Sequence, residues 1–191
     1  MRPILLDYAA SLGHTVFEKG EYNLNIIGIR TPDDSANSFN DRICVAYKDG
    51  LGWVTRTWAA TTDPGLYWRE NPGRIEGTAI LVPGQYRGCW KLGRHRGKYP
   101  ALVQQGGMVK VYRDANKNEV LDMDPDTEKE GYFGINIHKA GDVSTEVNKW
   151  SAGCQVFARV DDFSEFMSLC YSARNLWGDS FSYSLIQAPE F

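Results

Sequence analysis

Apolar and polar residues alternate along much of this chain, the period of a half-buried strand. Residues 23–30 are rich in branched side chains, which suit a pleated surface. Residues 42–47 and 53–58 flank Lys48-Asp49-Gly50-Leu51-Gly52 and predict a hairpin. Residues 78–82 predict a strand stopped by the turn pair Pro83-Gly84. Residues 101–104 and 108–112 flank Gly106-Gly107, and further strands are expected over 132–138, 154–158 and 180–186. A helical period is clear in one place. Phe163, Phe166, Met167, Cys170 and Tyr171 fall on one face, Gly178 stops the pattern, and Asp161 or Asp162 with Glu165 predicts a capping box at its start. The first dozen residues suit a short helix. Pro-Gly pairs at 64–65, 72–73 and 83–84 predict long loops through 60–77, not a domain boundary. The pattern predicts one domain over 1–191, mainly β, with one substantial helix just after Cys154.

Composition narrows the picture. A chain of 191 residues suits one domain, and such a chain buries roughly two thirds of its unfolded surface. Apolar residues make up 42% and charged residues 24%, as in globular proteins generally. The formal charge of -3 gives no global basic field, so nucleic acid is not an expected partner. No apolar run approaches the roughly 20 residues of a membrane span. The opening residues carry no signal-peptide pattern, so cytoplasmic synthesis with reduced thiols is expected. Cys44, Cys89, Cys154 and Cys170 include no C-x-x-C, which argues against structural zinc.

Two of these residues suggest chemistry. His138 lies in the strand-like run Gly134-Ile-Asn-Ile-His138-Lys-Ala-Gly141, and Cys154 follows in Trp150-Ser-Ala-Gly-Cys154-Gln-Val-Phe157. A cysteine attacks as thiolate, and a neighbouring imidazole is the usual way to generate one. The base must reach the thiol, so the two strands must lie side by side. Backbone N–H groups of Gly153 and Cys154 are candidates for an oxyanion hole. The alternative is a core histidine and a small buried cysteine.

Ile-x-Ile-His-x-x-Gly followed by Ser-x-Gly-Cys resembles the catalytic domain of the L,D-transpeptidase (YkuD-like) family. His138, Ser151, Gly153 and Cys154 match in type and order over about twenty residues. The resemblance implies a β-sandwich or barrel fold and a thioester acyl-enzyme formed on peptidoglycan stem peptides. It assigns His138 as base and the Lys139 carbonyl as orienter of the imidazole, and no cofactor is required. Ala152 stands where the family has a second histidine, and Gln155-Val156 where it has Ile/Val-Arg. The stretches 38–41, 61–65 and 150–156 also resemble a branch among phage and prophage proteins, small cell-wall enzymes without signal peptides. The expectation is a stem-peptide hydrolase of the endolysin kind, a monomer made in the host cytoplasm and acting on bacterial peptidoglycan at the cell wall. A cross-linking transpeptidase and a non-catalytic wall-binding or virion protein are the alternatives.

Other features each admit two readings. Lys91, Arg94, His95, Arg96 and Lys98 form a basic cluster, either an exposed turn or, through Arg94 and Arg96, a holder of stem-peptide carboxylates. Trp150 and Gln155 flank the Ser-x-Gly-Cys motif and are expected at the substrate too. Asp114, Asn116, Asn118 and Asp122, with the Val120 carbonyl, match the first part of a calcium loop. Glu119 replaces the glycine of such loops and Pro125 the final glutamate, so a solvated loop is the rival reading. Trp58, Tyr67, Trp68, Tyr86 and Trp90 line a groove or fill the core. His14 and His95 have no partner evident in the sequence and read as surface residues.

Overall fold

In the computed structural model, which describes residues 1–34 and 37–189, most of the predicted strands, joined by one that the pattern did not predict, close into a barrel. The barrel strands are β1 (Asn25–Arg30), β2 (Asp41–Asp49), β3 (Gly52–Thr61), β5 (Gly84–His95), β6 (Tyr99–Gln104), β9 (Ile137–Lys139), β10 (Gln155–Phe157) and β11 (Phe181–Gln187). They run in the order β1-β11-β5-β6-β9-β10-β3-β2. Two pairs, β1 with β11 and β9 with β10, are parallel. A separate sheet holds β4 (Thr78–Leu81), β7 (Val109–Asp114) and β8 (Lys129–Gly131) in the order β4-β7-β8. Helices are α1 (Ile4–Ser11), α2 (Leu66–Glu70) and α3 (Val160–Trp177). The chain is thus mainly β, with an eight-stranded barrel and one long helix.

Side chains fill the barrel, as expected at this strand number. Trp90, Leu102, Ile137, Phe157 and Tyr183 are buried within it. Helix α3 lays Phe163, Phe166, Met167, Cys170 and Ala173 against this core, with the Phe166 and Phe157 rings 5.0 Å apart. Truncating a residue such as Phe166 to alanine costs about 3–5 kcal/mol. Trp90 and Trp58, candidates for a groove, belong to this core. Cys44, Cys89 and Cys170 are free and buried.

Three details depart from the sequence pattern. Helix α3 starts at Val160 with Arg159 at the N-cap and no side-chain cap bond. Glu165 forms no capping box; it accepts from Trp58 Nε1 at 3.0 Å and Arg56 Nε at 2.9 Å. Residues 84–95 form one long strand, β5, whose glycines had hidden the alternation. It turns into β6 through the three residues Arg96-Gly97-Lys98, where Arg96 and Gly97 have positive φ (49° and 71°) and Lys98 N donates to His95 O at 2.9 Å. Residues 132–136 do not form a strand. Instead Gln104 Oε1 accepts from Phe133 N at 3.0 Å and Ile135 N at 3.1 Å, and Trp90 Nε1 donates to Ile135 O at 2.7 Å. One buried amide side chain and one indole thus hold the segment leading into β9.

Candidate functional site

Strand register places the two candidate residues on one face. In the parallel β9–β10 pair, Val156 lies opposite His138. Gln155 and Phe157 point inward, while Cys154 packs with Val156 in a cluster with Phe39, Ala140, Val147 and Ala158. Residues two apart in a strand share a face, so Cys154 and His138 lie on the same side of the sheet.

A tight turn delivers the cysteine. Ser151 Oγ donates to Cys154 O at 2.8 Å and accepts from Gly153 N at 3.2 Å. Gly153 has φ +115°, and a Cβ there would lie 2.4 Å from Ala79 O, so no other residue fits. Ser151 is fully buried and shapes the turn. The Gly153 amide, expected in an oxyanion hole, is here taken up by Ser151 Oγ. The Cys154 thiol donates to Gly134 O at 3.4 Å, and Gly134 reaches that position with φ +71°. Burial pushes the thiol up to about 11, against the milder pull of the Asn136 backbone and the Arg96 charge.

His138 is 2% exposed and held in one tautomer. Its Nδ1 lies 2.9 Å from Lys139 O, too close for two lone pairs to face each other, so Nδ1 carries the proton and donates it there. Tyr99 Oη donates to the same carbonyl at 3.2 Å and sits 3.2 Å from Nδ1. Nε2 is therefore a lone pair. It is buried and makes no hydrogen bond among the described residues, to Cys154 Sγ or any other group. The His95 ring stacks on His138 with centroids 3.9 Å apart at 26°. Asn136 Oδ1 accepts from Gln104 N at 3.0 Å, which turns its Nδ2 toward His95 Nδ1 at 3.2 Å. Burial, then the neighbouring imidazole, brings His138 down to about 3; burial, then Arg96 and Lys98, brings His95 down to about 4. At neutral pH both rings are uncharged and the thiol keeps its proton, so this site is a neutral thiol and a neutral base.

The other expected residues divide. Arg96 stands exposed at the β5–β6 turn, and its charge acts on Cys154 and His138. Arg94 donates to Gly97 O at 3.0 Å and Lys98 O at 2.5 Å, which ties it to its own turn. Trp150 is 45% exposed beside Gly141. Gln155 is not at the substrate face: it is fully buried, accepts from Tyr183 Oη at 2.8 Å and donates to Gly153 O at 3.3 Å, because strand alternation turns it inward when Cys154 faces out. His95 is likewise no surface residue, being 8% exposed. Sequence reasoning passed over Tyr99 and Asn136 and set His95 at the surface. The Arg96-Gly97 turn was the available signal, since it sets His95 opposite Tyr99.

The loop after β7 closes on itself. Asn116 Nδ2 donates to Asp122 Oδ2, Asn116 Oδ1 accepts from Asn118 N at 3.2 Å, and Asn118 Oδ1 accepts from Val120 N at 2.8 Å. Asp114 is fully buried, and neither carboxylate oxygen has a well-formed hydrogen bond. Burial, then the Asp122 charge, raises it to about 6. Among the described residues no three His, Cys, Asp or Glu side chains gather as a metal site, so any cation here would depend on Asn and carbonyl oxygens.

No family model matches the chain, and no curated protein or solved structure matches it.

Proposed function

We propose that this protein is a cysteine-dependent acyl-transfer enzyme that hydrolyses peptidoglycan stem peptides, on a barrel of the L,D-transpeptidase type. The observation that carries the chemistry is the fixed His138 tautomer. Its Nδ1–H is pinned to Lys139 O, which leaves Nε2 as a buried, unengaged acceptor on the face that holds Cys154. A general base needs that arrangement, and apo geometry often leaves the base–nucleophile bond unformed. Cys154 Sγ attacks the amide carbon while its proton passes to Nε2. The tetrahedral intermediate collapses to a thioester as the imidazolium returns the proton to the leaving amine. Water, deprotonated by the same imidazole, then releases the acid and restores the thiol. Cys154 is only partly buried, which gives water a path to the thioester. The substrate class rests on the His-x-x-Gly and Ser-x-Gly-Cys motifs and their order. Incubating the protein with purified sacculi tests it. Soluble muropeptides identified by mass support the reading, and sacculi left intact by protein with a free Cys154 thiol oppose it.

A further inference from the structure

We propose that a cleft between the small sheet and the turn before Cys154 binds the carboxylate end of the peptide donor through Arg113 and Arg74. The proposal rests on the reading of Cys154 as nucleophile and names what that site recognises. The cleft has a volume of ≈ 220 Å³ and is lined in part by Trp68, Arg74, Ala79, Arg113, Phe133 and Ala152. Drug-sized ligands fill pockets of roughly 300–1,000 Å³, so this one takes a chain end, not a whole glycopeptide.

Its floor leads to the thiol from two directions. Phe133 precedes Gly134, whose carbonyl meets Cys154 Sγ at 3.4 Å. Ala152 lies two residues before Cys154, on the turn that packs against Ala79 O. The cleft wall is therefore continuous along the chain with the Gly134 carbonyl that meets the thiol and with the turn that carries Cys154.

The electrostatics favour an anion. The Arg113 guanidinium lies 4.6 Å over the Phe133 ring, Nη1 donates to Gly77 O at 3.2 Å, and Nε is buried without a hydrogen-bond partner. Burial lowers its proton affinity, then the like charge of Arg74, with Glu76 opposing. Among the described residues no carboxylate forms an ion pair with Arg113 or Arg74. Two guanidinium groups beside an aromatic wall match the planar geometry of a carboxylate. Arg113 comes from β7 and Arg74 from the loop before β4, so two separate elements bring these charges together at the cleft.

The test measures alkylation of Cys154 in the intact protein by iodoacetate and by iodoacetamide, read by mass. The rate ratio of the anionic to the neutral reagent should fall roughly threefold to tenfold in Arg113→Gln and in Arg74→Gln. Arg113→Lys should keep the ratio within about twofold of the parent, since the charge remains. Arg74 is exposed, so Arg74→Gln keeps the test valid if Arg113→Gln fails to fold. An unchanged ratio in every folded glutamine variant overturns the cleft assignment. With stem tetrapeptides, Arg113→Gln should raise KM roughly tenfold to a hundredfold for the free acid and leave the C-terminal amide unaffected. If no peptide is turned over, the reading of the activity fails, and the alkylation ratio still decides the cleft.

Discussion

Acidification from about pH 7 to about pH 5 is expected to weaken the fold through His138, and the size of the effect follows from its burial. The imidazole's ordinary value of 6.5 falls to about 3 in the fold, chiefly because burial disfavours the cation and secondarily because of the neighbouring His95 ring. A base with a depressed folded pKa binds fewer protons in the native state than in the unfolded one. Stability therefore falls as pH drops below the unfolded value and keeps falling until the folded value is reached. At about pH 5 this single group removes about 2 kcal/mol relative to pH 7, and about 5 kcal/mol in the acid limit. Two buried carboxyls act in the opposite sense. Asp63, raised to about 7 by burial, and Asp114, raised to about 6, take up protons in the fold as pH falls, which stabilises it. His95, lowered to about 4, acts in the same sense as His138, so the opposing contributions leave the parent curve nearly flat. The informative quantity is the difference between the parent and His138→Gln, measured by urea unfolding at both pH values. That difference should shrink or invert by about 2 kcal/mol on going to the lower pH. If it is the same at both values, His138 is not a buried neutral base, and the argument for its role collapses.

Other perturbations reach the elements that build the site. Gly153→Ala forces a side chain into φ +115° and within 2.4 Å of Ala79 O, so it should cost about 2 kcal/mol or more, read as a lower Tm; an unaltered Tm would show that the turn is not as tight as described. Gln104→Leu strips the acceptor from Phe133 N and Ile135 N and should destabilise by about 3 kcal/mol, while a change within about 0.5 kcal/mol would mean that water replaces the amide. We expect the 114–122 loop to take calcium through Asp114, Asn116, Asn118, Asp122 and the Val120 carbonyl, since buried Asp114 has no well-formed donor. Calcium at about a hundred times its Kd should then add about 2.7 kcal/mol and raise Tm, and Asp114→Asn should abolish the shift. A Tm indifferent to millimolar calcium would leave Arg69, whose charge acts on Asp114, as the balancing group.

The period of the sequence made the strands and the long helix legible, because half-buried strands and one-sided helices must alternate in characteristic ways. The β2–β3 hairpin and α3 were readable for that reason. Barrel strand β5 was not: Gly84, Gly88 and Gly93 interrupt its pattern, and the last two make room for neighbours that the local sequence does not contain. Gly93, for instance, makes room for Val103 across the hairpin. At the site, His138 and Cys154 stood out because their residue types are chemically suggestive and close in the chain. His95, Tyr99 and Asn136 come together only through the β5–β6–β9 register. Gln155 was misplaced because adjacency in sequence is the wrong guide within a strand, where the next residue faces the opposite way.

The central claim is that Cys154 and His138 act as one catalytic unit, and the direct measurement is the rate of muropeptide release from sacculi by the parent, Cys154→Ala, His138→Ala and the double variant. Each single change should lower the rate by several orders of magnitude, and the double variant should be little worse than either, because nucleophile and base fail together. Cys44→Ala, Cys89→Ala and Cys170→Ala, at buried positions with no bond to His138, should retain the parent rate. If Cys154→Ala releases muropeptides as fast as the parent, the thiol is not the nucleophile and the account is wrong.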